Sequence, residues 1–218
     1  MTLEELIALY RADAFDQHEP YLCGDELLTL YANEAQDEAC RRGQLLRDSI
    51  SPICRIAYEA GAEHIPLDGM IINILRARAD GHAMCLVSLD DMDRLMPSWQ
   101  DDQQQGRPTH LVSGLSTGAL FLWPRPVADG TVVLTVQRLS LKRLANDTDK
   151  LEIRPELHTA LVNWILFRAY SRQDSELHDA QKAALSLQRF EAEFGRKASG
   201  RNEQWVRNGL GFMPGPIA

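Results

Sequence analysis

The segment from residue 119 to residue 194 constrains the fold most, because its pattern changes from the period of a strand to that of a helix. Within 131–138 polar and apolar residues alternate, so that one face is mostly apolar, as in a β-strand. Within 156–170 and 180–194 the pattern recurs at helical spacing. The helical stripes are formed by Leu157, Leu161, Trp164, Ile165, Arg168, Ala183, Leu187, Phe190 and Phe194. The succession predicts an α+β protein whose best-patterned region holds packing residues and no catalytic set.

The N-terminal region predicts two further helices. Thr2 and Glu5 have the spacing of a capping box, which would open a helix that ends at about Asp13. Asp25 is expected to cap a long helix that reaches about Asp48. The apolar stripe of that helix is Leu28, Tyr31, Ala35, Ala39 and Leu46, and Glu34, Glu38 and Arg42 follow one another at steps of four. We interpret the charged set as a solvated ion-pair ladder rather than half of a metal site.

The middle of the chain reads as strands separated by turns. Branched residues in 53–58, 70–78 and 84–89 predict three strands, and 109–113, 120–123 and 131–138 predict three more. A short helix is expected over 90–96, followed by a polar surface loop over 100–108. With the C-terminal helices, this divides the chain into 1–50, a β-rich module at 51–145, helices at 150–197 and an extended arm at 198–218.

Composition argues against several functions. The 218 residues carry a formal charge of −8, which is unfavourable for binding nucleic acid through phosphates. We expect no membrane span and no secretory signal. Cys23, Cys40, Cys54 and Cys85 lack metal-site spacing and are predicted to be small buried thiols of a reduced, cytosolic protein. His158 and His178 are predicted to be solvated. No cofactor or metal is expected.

One motif suggests chemistry. Gly114, Ser116 and Gly118 match the nucleophile elbow of hydrolases, and Asp129 and His158 follow in the hydrolase order. The elbow needs a helix directly after the serine, whereas the residues after Gly118 are strand-like and end in proline. We therefore place Ser116 in a turn between two antiparallel strands. A small serine hydrolase remains an alternative function, as does an acidic regulatory protein that mimics DNA or binds a host factor.

The last twenty-one residues differ from everything before them. The segment is rich in Gly and Pro, yet it contains Trp205, Val206, Leu210, Phe212 and Met213. Such a segment is not expected to pack by itself, and aromatic anchors on an arm favour folding onto a partner. The alternative is an arm that folds back on its own domain.

Several segments together resemble the head-to-tail adaptor (connector) proteins of tailed bacteriophages. The similar segments are 33–42, 123–126 leading to 129–131, 136–139, 161–171 and 190–197, within a similarity over roughly 25–197. The resemblance implies a non-enzymatic protein with a helical bundle, formed by the N- and C-terminal helices, that carries a β-rich antiparallel insertion. The C-terminal arm would then be a portal-binding arm, with contacts from Arg201, Trp205, Val206, Leu210, Phe212 and Met213.

The same resemblance implies a place in the virus particle. Such proteins are made in the host cytoplasm and form a ring, typically dodecameric, below the portal in the neck of the virion. The ring extends the DNA channel, through which DNA passes without sequence-specific binding, and offers a platform to tail, nozzle or tail-tube proteins. The implied partners are therefore the portal protein, tail proteins and further copies of this chain. The acidic balance of the sequence suits a channel that DNA does not adhere to.

Overall fold

The computed structural model describes residues 1–173 and 176–197, and it confirms a mixed α+β protein. The helices of this part of the chain are α1 (Leu3–Ala14), α2 (Asp25–Gly43), α3 (Leu89–Leu95), α4 (Val162–Tyr170) and α5 (Ala180–Phe194). Its strands are β1 (Leu46–Asp48), β2 (Arg55–Tyr58), β3 (His64–Pro66), β4 (Ile71–Ala79), β5 (His82–Ser88), β6 (Gln105–Gly106), β7 (His110–Ser116), β8 (Ala119–Trp123), β9 (Arg125–Pro126) and β10 (Gly130–Arg138). The predicted arm, 198–218, lies outside the described residues.

The chain forms two compact units. We call Met1–Leu46 with Leu139–Lys197 the helical unit and Arg47–Arg138 the sheet unit. In the helical unit, α1 packs on α2 and α4, α2 packs on α4, and α4 packs on α5. The fully buried side chains at these contacts include Leu6, Tyr10, Leu28, Ile165 and Phe190. No helix in the described part is long and apolar enough to cross a membrane.

Local sequence signals determine where α1 and α5 begin. At the predicted capping box, Glu5 N donates to Thr2 Oγ1 at 3.3 Å and Thr2 N donates to Glu5 Oε2 at 2.9 Å. At α5, the backbone N–H groups of Gln181 and Lys182 donate to the Asp179 carboxylate, which confirms that predicted cap. Gly195 ends α5 with a φ of 86°, a conformation that suits glycine.

The second helix differs from its prediction at both ends. Gly24 is the N-cap residue, and the Asp25 carboxylate instead accepts a hydrogen bond from Arg11 Nη2 at 2.5 Å. The helix ends at Gly43 rather than near Asp48, because Gln44 turns into the left-handed region with a φ of 49°. Leu46 was therefore wrongly placed on the helical stripe, since it begins β1, which pairs with β10.

The helix predicted over 156–170 is regular only from Val162 onward. Two 3-10 turns, Pro155–Leu157 and Thr159–Leu161, occupy its first part. His158 lies between these turns and is only 4% exposed, so its predicted solvated position is wrong. Its Nε2 is 2.8 Å from Ile153 O, and its Nδ1 is 2.8 Å from the N-terminal amine of Met1. These partners explain how a polar ring is accommodated in the interior.

The main sheet of the sheet unit has the order β1-β10-β4-β5-β7-β8-β3, and β2 also pairs with β10. Its inner face forms one buried apolar cluster that includes Ile56, Ala77, Met84, Leu111 and Leu134. On the outer face, Met92 of α3 and Trp99 cover Val112 and Trp123 in a second cluster. In a strand whose alternate residues belong to the inner cluster, the residues between them point to the outer face.

The β-rich module was predicted to be antiparallel, and two of its strand pairs are parallel instead. β5 and β7 are parallel, with Leu86 opposite Leu111, and β6 and β9 are parallel as well. Parallel neighbours need a crossover, which α3 and the polar segment after it supply. That segment is exposed over 100–105, as predicted, but then forms β6. The three-residue strands β1 and β3 were missed.

The cysteine prediction holds for three of the four residues. Cys23, Cys40 and Cys54 are buried free thiols, whereas Cys85 is exposed on the outer face of β5. Alternation along β5 explains the difference, because Met84 and Leu86 on either side point toward the inner cluster.

Gly130 is expected to be a position where even one methyl group destabilises the sheet unit. A Cβ there would overlap the ring and hydroxyl of Tyr58 and lie 2.6 Å from Asp80 Oδ2. Tyr58 donates to Asp80 at 2.5 Å, and burial together with this carboxylate raises the pKa of Tyr58 to about 12. Gly130→Ala should cost about 1–3 kcal/mol in urea unfolding. Gly118→Ala is the control, since a Cβ there meets nothing within 4 Å. Equal stability of the two variants would contradict the prediction.

Candidate functional site

The helical unit contains an open groove of about 690 Å³ between α2 and α4. Helical spacing explains its walls, because residues three or four apart share a face. The lining residues are Glu34, Asp37, Glu38, Arg41, Leu139, Trp164, Phe167, Arg168, Ser171 and Lys197. The groove therefore combines a floor of two aromatic side chains with walls of paired charges.

The acidic side chains of α2 are held by cations from several segments. Glu38 lies 2.6 Å from Arg41 Nη1 and 3.1 Å from Arg42 Nε, which confirms the predicted ion-pair ladder. Glu34 pairs with Arg168 at 2.9 Å. The ladder is not solvated at Glu38, which is only 8% exposed. Arg42 also pairs with Glu191 of α5 at 3.5 Å, so the ion pairs of Glu38 extend to that helix.

Three buried polar atoms of groove-lining residues have no hydrogen-bond partner among the described residues. They are Glu34 Oε2, which still forms the ion pair with Arg168, together with Asp37 Oδ1 and Trp164 Nε1. The other Asp37 oxygen accepts from Arg143 Nη1 at 2.6 Å. Burial raises the pKa of Asp37 above its ordinary value, and pairing with Arg143 opposes this rise.

Sequence reasoning placed Trp164 on a packing stripe and did not single out Asp37. The spacing of Glu34, Asp37, Glu38 and Arg41 along one helix face was the available signal. It could not reveal the groove, however, because the opposite wall comes from α4, more than a hundred residues later.

The predicted portal-binding residues lie outside the described residues. They are Arg201, Trp205, Val206, Leu210, Phe212 and Met213. The last residue before the arm, Lys197, lines the groove, and its Nζ lies 3.8 Å from Glu38 Oε1.

The hydrolase-like motif has a different geometry from a nucleophile elbow. Ser116 is the last residue of β7 and pairs with Ala119 of β8, so the predicted strand-turn-strand is confirmed. Ser116 Oγ accepts a hydrogen bond from Gly118 N at 3.5 Å, and Asp129 accepts one from Ala60 N at 2.8 Å. Both ring nitrogens of His158 already have the partners described above. No helix follows the serine, so its hydroxyl is not presented as an elbow presents it.

The described part of the chain is an α+β protein with an open groove lined by aromatic and charged side chains. The sequence comparison then identifies the family, because the SU10 adaptor protein family matches residues 1–210. The chain belongs to this family of phage head-to-tail adaptors, and the predicted resemblance is confirmed. No curated protein sequence matches the chain. The protein is therefore a phage structural adaptor.

Proposed function

We propose that this protein forms a ring, dodecameric as is typical of connectors, that joins the portal to the tail in the neck of the virion. The ring extends the DNA channel and provides the attachment platform for tail proteins, and it transforms no substrate and needs no cofactor. Family membership over 1–210 is the observation that carries this proposal. DNA passes through the channel without sequence-specific contacts.

Each part of the chain has a role in this proposal. The helices of 1–50 and 150–197 form the bundle, 51–145 is the β-rich module, and 198–218 is the portal-binding arm. Trp205, Phe212 and the apolar residues near them anchor the arm, because aromatic side chains bury large areas on few rotatable bonds. The ion pair between Lys197 and Glu38 supports the proposal, since it attaches the residue that directly precedes the arm in the sequence to α2.

Removal of residues 201–218 is expected to abolish binding to portal rings while the rest of the chain stays folded. Co-sedimentation with purified portal rings measures binding, and circular dichroism measures folding. Unchanged co-sedimentation of the truncated protein would contradict the proposed role of the arm. A truncated protein that loses thermal stability and still binds portal would instead support an arm that folds back on its own domain.

Within the arm, Trp205→Ala should weaken portal binding most. Truncation of a buried aromatic anchor costs about 2 kcal/mol or more, which corresponds to roughly a thirtyfold rise in Kd. Gln204→Ala, at the adjacent residue, is the control and should leave Kd within about twofold. Equal effects of the two variants would show that Trp205 is not an anchor.

A further inference from the structure

The outer face of the sheet unit carries an unusual set of cations. Along β2, β10 and β4, the exposed residues Arg55, Arg76 and Arg78 alternate with residues of the inner cluster. The register places Val133 of β10 directly between Arg55 and Arg78, and Thr135 opposite Arg76. We call these three arginines with Val133 and Thr135 the basic face.

The cations of this face are available for an external partner. Neither Arg55 nor Arg76 has an ion pair or a side-chain hydrogen bond among the described residues, and Arg78 donates only to the backbone oxygen of Gly81. The neighbouring carboxylate, Asp80, is occupied by Tyr58 and by Thr131 N. α3 packs over β5 and β7, and the second cluster also includes Trp123 of β8. Within the part of the chain that the structure describes, the basic face is thus charged, and its three arginines are exposed.

The same unit carries a surface of opposite charge. Five aspartates and one arginine lie in 90–102, and we call this stretch the acidic segment. Asp90, Asp93, Asp101 and Asp102 are exposed, and the side chains of Asp90 and Asp101 have no partner among the described residues. Asp93 is held in place by Trp99, whose Nε1 donates to it at 2.8 Å. The two surfaces therefore have opposite charge, and no ion pair joins them among residues 1–173 and 176–197.

We propose that the basic face of one copy docks on the acidic segment of a second copy of this chain. Every cation between residues 47 and 138 is an arginine, the cation that is enriched in protein interfaces, where lysine is depleted. Val133 lies between Arg55 and Arg78, and Thr135 lies opposite Arg76. Their small side chains allow close packing. A net charge of −8 makes copies repel one another at long range, so association requires a local match of this kind.

A duplex DNA partner fits the surface less well than a second copy does. Eight arginines face eleven acidic residues in the sheet unit, whereas phosphate binding needs a clustered positive excess. A contact between two different surfaces can also repeat from copy to copy, as ring assembly requires. The proposal thus deepens the proposed ring and rests on it.

Charge reversal in the full-length protein tests the contact. Arg55→Glu with Arg76→Glu, and separately Asp90→Arg with Asp101→Arg, should each weaken self-association more than tenfold in sedimentation velocity. A 1:1 mixture of the two variants should restore association, because each supplies the charge that the other needs. Arg189→Glu with Arg196→Glu is the control for net charge, since both residues are exposed in the helical unit.

Three results would overturn the proposal. The first is unchanged self-association of either variant, and the second is no recovery of association in the mixture. The third is that wild type binds a 40-base-pair DNA duplex and the Arg55→Glu, Arg76→Glu variant does not, although that variant still self-associates. Circular dichroism confirms that the variants are folded. Co-sedimentation with portal rings separates this proposal from the proposed function. If the mixture of variants does not regain self-association but the wild-type protein still binds portal rings, only the contact between copies is refuted.

Discussion

Phe190→Ala is expected to lower the free energy of unfolding by about 3–5 kcal/mol, the largest effect of any single substitution considered for the helical unit. Phe190 is fully buried, and its ring centroid lies 5.1 Å from that of Trp164 and 4.6 Å from that of Phe194. The Arg42 guanidinium lies 5.2 Å from the Phe190 ring centroid. Truncation removes these contacts together and leaves a cavity between α4 and α5.

Urea unfolding followed by far-UV circular dichroism measures this loss. Leu185→Ala on the same helix is the matched control, because Leu185 is 47% exposed and should cost less than about 1 kcal/mol. Tryptophan fluorescence gives a second readout, since Phe190 packs against the Trp164 indole, which lines the groove. Equal losses for the two variants would contradict the packing described here.

Asp16→Ala is expected to cost about 3 kcal/mol or more, because it breaks a buried charge network. The Asp16 carboxylate accepts from Leu22 N at 2.8 Å and from Cys23 N at 3.1 Å, and it pairs with Arg11 at 3.2 Å. It thereby ties the segment after α1 back to that helix. Truncation leaves two backbone donors and part of a buried guanidinium without their acceptor.

Asp25 offers a matched control on the same guanidinium. Its carboxylate also pairs with Arg11, but the Asp25 side chain is 67% exposed, whereas that of Asp16 is 1% exposed. Because exposed ion pairs contribute little, Asp25→Ala should cost less than about 1 kcal/mol in the same urea unfolding measurement. A loss for Asp25→Ala that equals or exceeds the loss for Asp16→Ala would contradict the assigned roles.

The sequence predicted correctly the helix ends and the strand that are determined by neighbouring residues. The capping box at Thr2, the cap at Asp179, the stop at Gly195 and the alternation in β10 all depend on residues a few positions apart. The errors have nonlocal causes. Arg11 takes the Asp25 side chain that was expected to cap α2, and the N-terminus of the chain reaches His158, which was expected to be solvated. The parallel pairing of β5 and β7 depends on where α3 packs, which periodicity does not reveal.

The candidate site was predicted only in part for the same reason. The sequence identified the charged steps on α2 and the stripe on α4, but the groove exists because those two helices pack together. It also gave no sign that Asp37 Oδ1 and Trp164 Nε1 would be buried without partners. The basic face was missed because arginines on separate strands become neighbours only through the register of β2, β10 and β4.

Negative-stain electron microscopy of the full-length protein mixed with purified portal rings tests whether this protein forms a ring that binds the portal. We expect an additional ring of density, coaxial with the portal, that is absent when residues 201–218 are removed. Portal rings that stay bare in the presence of folded, full-length protein would contradict it.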